Sequence, residues 1–235
     1  MEENKIKVLC TRPISHSLVN QARSAGIRLD VVPFIDTEPI QSVEVQQEIQ
    51  LLLTEIATVV FTSTNAVEAV AAELEEQQPD WRIFCIGNAT SELVKKYFGD
   101  ESIEGTAEDA SGLAQVIIKV MPERNEVVFF CGDQRRAELP EKLAENGIEV
   151  IEIVVYQTIS IPHRVKTTYE GIIFFSPTAV KSFFQVNKPG DKTILFAIGN
   201  TTATEIKKYC TNKIIIANEP GKERLVEIAI DFFHG

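Results

Sequence analysis

The chain contains itself twice. Phe84-Cys85-Ile86-Gly87-Asn88-Ala89-Thr90 is matched by Phe196-Ala197-Ile198-Gly199-Asn200-Thr201-Thr202, and at the same offset of 112 Lys95-Lys96-Tyr97 is matched by Lys207-Lys208-Tyr209. Of these 14 aligned positions 8 are identical, where ordinary composition yields on the order of one. Upstream, Phe61-Thr62-Ser63-Thr64-Asn65-Ala66-Val67 echoes Phe174-Phe175-Ser176-Pro177-Thr178-Ala179-Val180 at an offset of 113. A weaker echo joins Val8-Leu9-Cys10 to Phe129-Phe130-Cys131, each followed by a helical pattern and then Gly26-Ile27 or Gly147-Ile148. Self-similarity at this spacing predicts two homologous halves, near 1–120 and 125–235.

Each half alternates in the same way. Short apolar runs read as strands buried on both faces: Val31-Val32, Val59-Val60-Phe61, Ile83 to Ile86, Val127 to Phe130, Val150 to Val155, Ile172 to Phe175, Ile194 to Ile198 and Ile214 to Ile216. Helical patterns separate them, such as Glu138 to Glu145 with a stop at Asn146-Gly147. Strands alternating with helices indicate βαβ units and parallel sheets covered on both faces. The predicted fold class is therefore α/β, with two similar three-layer α/β/α lobes of flavodoxin or Rossmann type. Pro33 to Pro39 and Tyr156 to Pro162 break the rhythm. Both are extended, β-branched and punctuated by Pro, and are expected to pair as a two-stranded linker joining the lobes around a cleft. Glu73 to Asp80, rich in acids, reads as a solvated helix end and loop.

Charge and cysteine usage narrow the partners. With 23 basic and 34 acidic residues the formal charge is −11, which argues against a nucleic-acid coat or an anionic lipid surface. It does not bar a small anion, because backbone N–H groups at helix N-termini bind anions whatever the net charge. No apolar run has the length of a membrane span, and the acidic start Met1 to Lys5 resembles no secretory signal. Cys10, Cys85, Cys131 and Cys210 are far apart and form no Cys-x-x-Cys, so reduced thiols in a cytoplasmic protein are expected. His16, His163 and His234 make no ligand-spaced pair, and no metal is expected.

The candidate chemistry sits at the repeated junctions. Ser63 and Ser176 each end a strand and open a helix, with Thr62 and Asn65 flanking one and Pro177 following the other. This is the pattern of an N-cap with Pro at the first helical position. Gly87-Asn88-Ala89-Thr90 and Gly199-Asn200-Thr201-Thr202 repeat the theme with a glycine that permits a sharp turn. Capped helix ends at the carboxyl edge of a parallel sheet hold carboxylates or phosphates, while neither Gly-x-Gly-x-x-Gly nor a P-loop occurs. Arg12, and Arg135-Arg136 after Gly132-Asp133, follow the first strand of each half; they suit carboxylate recognition, solvent, or pairing with Asp133. Tyr156 follows the strand at Val150 to Val155, where its phenol can donate a hydrogen bond or serve as a weak general acid.

These segments taken together resemble the uroporphyrinogen-III synthase family: Thr11-Arg12-Pro13, Phe61 to Val67, Ile86 to Thr90, Cys131-Gly132-Asp133-Gln134-Arg135-Arg136 with Leu139-Pro140, Val155-Tyr156-Gln157-Thr158, Phe174 to Pro177, and Ala197 to Ala203. The likeness runs in order over nearly the whole chain, although Asn200 stands where many members carry Pro. It implies one discontinuous lobe of about 1–35 with 160–235, a second of about 36–159, and linkers near 33–40 and 155–162. It further implies a cofactor-independent hydro-lyase of tetrapyrrole and heme biosynthesis. The small-molecule substrate would be hydroxymethylbilane, cyclised to uroporphyrinogen III with inversion of the last pyrrole ring and loss of water. By the same resemblance Tyr156 assists hydroxyl departure, and Ser63, Thr90, Ser176 and Thr202 bind substrate. Arg12, Thr62, Asn65, Asn88, Pro177, Asn200 and Thr201, at the same junctions, are further expected substrate-binding residues. A monomer in transient contact with the preceding pathway enzyme is expected. The competing expectation is a noncatalytic two-lobe sensor of a small polyanion; a nucleotide- or phosphosugar-dependent enzyme lacks its Gly-rich loop.

Overall fold

A computed structural model describes residues 6–75, 77–121, 126–219 and 221–235. The acidic start Met1 to Lys5 and Glu76 of the acidic stretch lie outside the described residues. In chain order the elements are β1 (Ile6–Cys10), α1 (His16–Ser24), β2 (Ile27–Val31), β3 (Ile35–Pro39), α2 (Val43–Leu53), β4 (Ala57–Phe61) and α3 (Thr64–Ala71). There follow β5 (Trp81–Ile86), α4 (Gly87–Phe98), β6 (Ile103–Ala107), α5 (Ala110–Val120), β7 (Glu126–Gly132), α6 (Glu138–Glu145) and β8 (Glu149–Ser160). The chain closes with β9 (Gly171–Phe174), α7 (Pro177–Val186), β10 (Ile194–Ala197), α8 (Asn200–Ile206), β11 (Ile214–Ile216) and α9 (Lys222–His234). It divides into two compact units. Unit one takes residues up to Asp36 together with Ile159–Gly235, and unit two takes Thr37–Thr158.

Unit one is built on the sheet β11-β10-β9-β1-β2, with every neighbouring pair parallel. Its central strands are apolar on both sides, so both faces need cover. On one face Leu18 and Ala22 of α1 and Leu225, Val226 and Ala229 of α9 pack on Val8, Ile173 and Phe196. On the other, Val180 and Phe183 of α7 and Ala203 and Ile206 of α8 pack on Leu9, Ile172, Phe174 and Leu195. The split follows the strand period of two.

Unit two carries the sheet β3-β8-β7-β4-β5-β6, parallel from β8 to β6. Leu113 and Ile117 of α5 and Leu139 and Leu143 of α6 cover Val60, Phe84 and Phe129. Opposite them Ile49 and Leu53 of α2, Val67 and Val70 of α3, and Val94 and Phe98 of α4 cover Val59, Phe61, Ile83 and Phe130.

Counted from β1 or from β7, both sheets have the doubly wound order 2-1-3-4-5. The registers agree as well: Phe61 stands opposite Cys85 as Phe174 stands opposite Ala197. Each order is assembled across the halves, since β1 and β2 of the first half complete the sheet of β9–β11, and β7 and β8 of the second complete that of β4–β6. The weaker echo of Cys10 with Cys131 is out of register. Phe129 faces Val60 as Cys10 faces Ile173. A slip of two residues keeps each side chain on its own face, so the apolar pattern does not reveal it.

Two further details depart from expectation, while the pairing of β3 with β8 is as expected. β2 is Ile27–Val31, and Val32 falls outside it. β8 runs unbroken from Glu149 to Ser160, so Tyr156 lies within a strand rather than at the start of a separate linker. β3 forms the edge beside it: Ile40 N–H donates to Val155 O at 2.9 Å and Ile161 N–H to Phe34 O at 3.0 Å. Residue numbers rise along one strand as they fall along the other, so this pairing is antiparallel, and an edge position tolerates Pro39. None of the described helices is long and apolar enough to cross a membrane.

Candidate functional site

Ligands of doubly wound sheets gather at the carboxyl edge, where the winding reverses. That point falls between β1 and β9 in unit one and between β7 and β4 in unit two. The residues leaving those strands are Thr11-Arg12, Phe175-Ser176, Gly132-Asp133 and Thr62-Ser63. One strand further along lie Gly199-Asn200 and Gly87-Asn88. Three neighbouring junctions span about 10 Å at a strand spacing near 4.8 Å.

In unit one Ser176 has extended backbone (φ −158°, ψ 156°) and its Oγ accepts from Ala179 N–H at 3.1 Å, while Pro177 occupies the first helical position of α7. Asn200 and Thr201 are exposed at the start of α8; Thr202 is 1% exposed, and its hydroxyl is enclosed without a partner among the described residues. Gly199 is extended at φ −178°, so the turn expected to need glycine does not need it there. Arg12 reaches over the Phe175 ring, its guanidinium carbon 5.5 Å from the ring centre, a favourable cation–π arrangement. Its Nε is buried with no acceptor among the described residues. Burial lowers the guanidinium's pKa from its ordinary value, with the Cys10 thiol and Glu223 opposing. A buried charged donor without a partner is costly, and an incoming carboxylate relieves it.

In unit two Ser63 repeats the cap: φ −151°, ψ 149°, with its Oγ accepting from Ala66 N–H at 3.2 Å. The N–H groups of Thr64 and Asn65 in the same turn have no acceptor among the described residues, the usual state of a helix start. Thr62 and Asn65 are half-buried and Asn88 is exposed. Gly87 opens α4 at φ +74°, a conformation that favours glycine. Thr90 is only 5% exposed.

Tyr156 is aimed by a bulge. Cys131 faces Val154, but Gly132 faces Tyr156, so β8 carries one extra residue at this point. Bulges redirect side chains and recur beside active sites. Asp133 N–H donates to Tyr156 O at 3.1 Å, and Asp133 Oδ1 accepts from Thr158 N–H at 2.8 Å. The Tyr156 ring lies against the bare Cα of Gly132: a Cβ there would stand 2.5 Å from Cε2 of the ring. The phenol borders a small cavity of about 120 Å³ with Asn65, Glu68, Glu38 and Pro39. Glu38 in turn accepts from Gln157 Nε2 at 2.7 Å.

Each edge therefore collects a subset of the expected residues: Arg12, Ser176, Pro177, Asn200, Thr201 and Thr202 in unit one, and Thr62, Ser63, Asn65, Asn88, Thr90 and Tyr156 in unit two. Arg135 behaves unlike Arg12. It pairs with Glu152 through two bonds of 2.6 and 2.8 Å rather than with Asp133. Sequence reasoning missed Gly132 as the seat of the Tyr156 ring, and Glu68 and Glu38 as its neighbours. Gly132-Asp133 was visible as a motif, but its contact with Tyr156 requires the strand pairing. Cys10, Cys85 and Cys131 are buried free thiols and Cys210 is half-buried; burial pushes Cys10 and Cys131 up to about 11. Among the described residues no group of three His, Cys, Asp or Glu side chains is placed to hold a metal.

The family profile described as "Uroporphyrinogen-III synthase HemD" matches residues 16–227. The uroporphyrinogen-III synthase of Chlorobaculum parvum is 28% identical over 224 residues, covering 86% of this chain and 88% of its own. That of Saccharomyces cerevisiae is 26% identical over 250 residues, covering 91% and 90%. Among solved structures, the uroporphyrinogen-III synthetase of Helicobacter pylori superposes with a TM-score of 0.66 at 17% identity, over 97% of this chain and 99% of that one. A mutant synthase from Thermus thermophilus superposes at 0.54 with 15% identity and 97% coverage of both. The two superpositions support the same fold.

Proposed function

Because the chain belongs to the uroporphyrinogen-III synthase family, we propose that it converts hydroxymethylbilane to uroporphyrinogen III and water. The reading rests on the match to the family across residues 16–227. What favours a polycarboxylate in particular is that the switch point of each unit ends in a serine-capped helix, one of them beside half-buried Arg12, whose Nε has no acceptor among the described residues. Helix N-termini stabilise carboxylates through free N–H groups and the macrodipole, each by about 0.3–1 kcal/mol. Carboxylates met by such helix ends explain how a chain of charge −11 holds a polyanion.

The first chemical step is departure of the terminal hydroxyl. The pyrrole nitrogen lone pair drives out the oxygen, the phenol of Tyr156 donates a hydrogen bond or proton to it, and water leaves. The resulting azafulvene cation attacks the substituted carbon of the last ring to give a spiro-pyrrolenine, which fragments and recombines so that this ring is inverted. Loss of a proton restores aromaticity. Ser63 and Ser176 hold their helix ends in the binding conformation, and Arg12, Asn65, Asn88, Asn200 and Thr201 contact substrate carboxylates. Thr90 and Thr202, being buried, shape the helix ends from beneath. Holding a flexible molecule so that its ends meet in one way is catalysis by positioning. No step moves electrons to or from an acceptor, so the reaction is that of a cofactor-independent hydro-lyase, working as a cytoplasmic monomer in transient contact with the enzyme that supplies its substrate.

The test is to supply hydroxymethylbilane and determine the isomer composition of the product. Uroporphyrinogen III in large excess is expected. A product that is all the uninverted isomer I, as in spontaneous closure, would mean a binding protein rather than a synthase.

A further inference from the structure

Unit one has a second concavity, unrelated to the carboxyl edge. It lies at the opposite, amino-terminal edge of the sheet, where the segment 161–170 enters β9 and the turn 187–193 enters β10, and it encloses about 350 Å³. Its apolar floor is formed by Ile172 and Phe183, both nearly fully buried, with Val186 beside them. Arg164, Lys166 and Lys188 stand exposed at its rim. No aspartate or glutamate lines it, although acids outnumber bases 34 to 23 in the chain. Among the described residues, none of the three cations has a carboxylate within ion-pairing distance.

The walls are fastened. Asn187, 8% exposed, accepts from Val165 N–H at 2.9 Å and donates to His163 O at 2.7 Å and Phe183 O at 3.1 Å. It thereby ties the entering segment to the end of α7. Thr193 Oγ1 donates to Tyr169 O at 2.7 Å, and the Tyr169 hydroxyl donates to Asp30 at 3.1 Å. The acids nearest in the chain are occupied or point elsewhere: Asp30 holds Tyr169 and Arg28, Glu170 accepts from Lys7 N–H, and Asp191 is exposed outside the cavity lining. In unit two the connection into the equivalent strand contains α2, whose Ile49 and Leu53 fill the corresponding flank of the core. In unit one an irregular segment takes its place and leaves the cavity.

We propose that this cavity binds a small organic anion, a single apolar ring bearing one or two carboxylates or a phosphate, with the ring on Ile172, Phe183 and Val186 and the anionic group toward Arg164, Lys166 and Lys188. The volume is at the lower end of small-molecule sites and admits one substituted ring, not a tetrapyrrole. An apolar floor and three rim cations without acids in the lining together select this class over a bare anion or a neutral ring.

The test is amide NMR of the full chain at fixed ionic strength, titrated with phthalate and with phenyl phosphate; inorganic phosphate, benzyl alcohol and benzylamine serve as controls. Saturable shifts are expected at residues 165–169 and 187–193, with a dissociation constant on the order of 1 mM or tighter. The variant R164E/K166E/K188E should weaken phthalate at least about tenfold with the remaining spectrum unchanged. Should that variant not fold, K188Q alone should weaken it about threefold. Absence of saturation, equal response to benzylamine, or undiminished affinity in the variants would overturn the site. Inorganic phosphate binding as well as phenyl phosphate would overturn the ring-bearing class. Because these amides are far from the carboxyl edge in the fold, a failure here leaves the synthase reading standing.

Discussion

The two units share strand order, register and serine-capped switch points, yet their edges differ in what each adds to that common base. Unit two brings a bulged strand that seats a phenol on Gly132, and its α3 begins with two N–H groups at Thr64 and Asn65. Unit one replaces the first of those donors with Pro177 and adds a guanidinium whose Nε has no acceptor among the described residues. The Arg135 side chain, which follows β7 as Arg12 follows β1, is instead held by Glu152. The repeated halves give two edges with the same capped helix starts; one adds a phenol against Gly132, the other a guanidinium over Phe175.

The largest expected consequence of this difference is kinetic. Tyr156→Phe should lower kcat by about 100-fold, the scale of a general acid, with KM nearly unchanged. Equal losses in kcat from Arg12→Gln would erase the distinction between the edges. Gly132→Ala places a Cβ where the Tyr156 ring lies, so kcat should fall about tenfold and stability by about 1–3 kcal/mol. Retained activity and denaturation midpoint in that variant would show that the ring is not seated there. Arg12→Gln should raise KM about tenfold, the value of one charge-assisted bond, while kcat stays within about twofold of the parent.

Smaller effects sharpen what the units share. Ser63→Ala and Ser176→Ala should each cost about 1 kcal/mol in chemical unfolding, since both caps make the same bond. A cost confined to one of them would break the structural equivalence. The thiols give the last comparison. Burial raises Cys10 in unit one and Cys131 in unit two to about 11, so the folded chain keeps protons that the unfolded chain, with ordinary thiols, has released. Stability should therefore decline as pH rises from about 9 to 11, and a disulfide reagent at pH 8 should modify Cys210 well before either. Rapid labelling of Cys10 or Cys131 would contradict their burial.

Much of this was legible in the residues because repetition and apolar runs are local signals. Val59 to Phe61, Ile172 to Phe174 and the helix Glu138–Glu145 follow directly from periodicity, and the Ser-Pro junction at Ser176 announces its own cap. What stayed hidden depends on pairing. The offsets of 112 and 113 align the halves but carry no information on which strands share a sheet, so the completion of each sheet by the other half's strands could not be read from them. β6, Ile-Glu-Gly-Thr-Ala, has no apolar run to mark it and is only half-buried. The bulge at Tyr156, the Glu152 partner of Arg135 and the burial of Thr90 and Thr202 are all consequences of register, invisible one residue at a time. Gly87 and Gly199 look alike in the chain and adopt different backbones, because α4 begins on its glycine and α8 begins one residue after.

The proposed role of the carboxyl edges is to take up the tetrapyrrole's carboxylates at their serine-capped helix starts. Amide NMR of the full chain with uroporphyrinogen III under anaerobic conditions tests it most directly. Saturable shifts are expected at Ser63 to Asn65 and Asn88 in unit two, and at Arg12, Ser176 and Asn200 to Thr201 in unit one. Saturable shifts elsewhere in the chain, with neither edge responding, would contradict it.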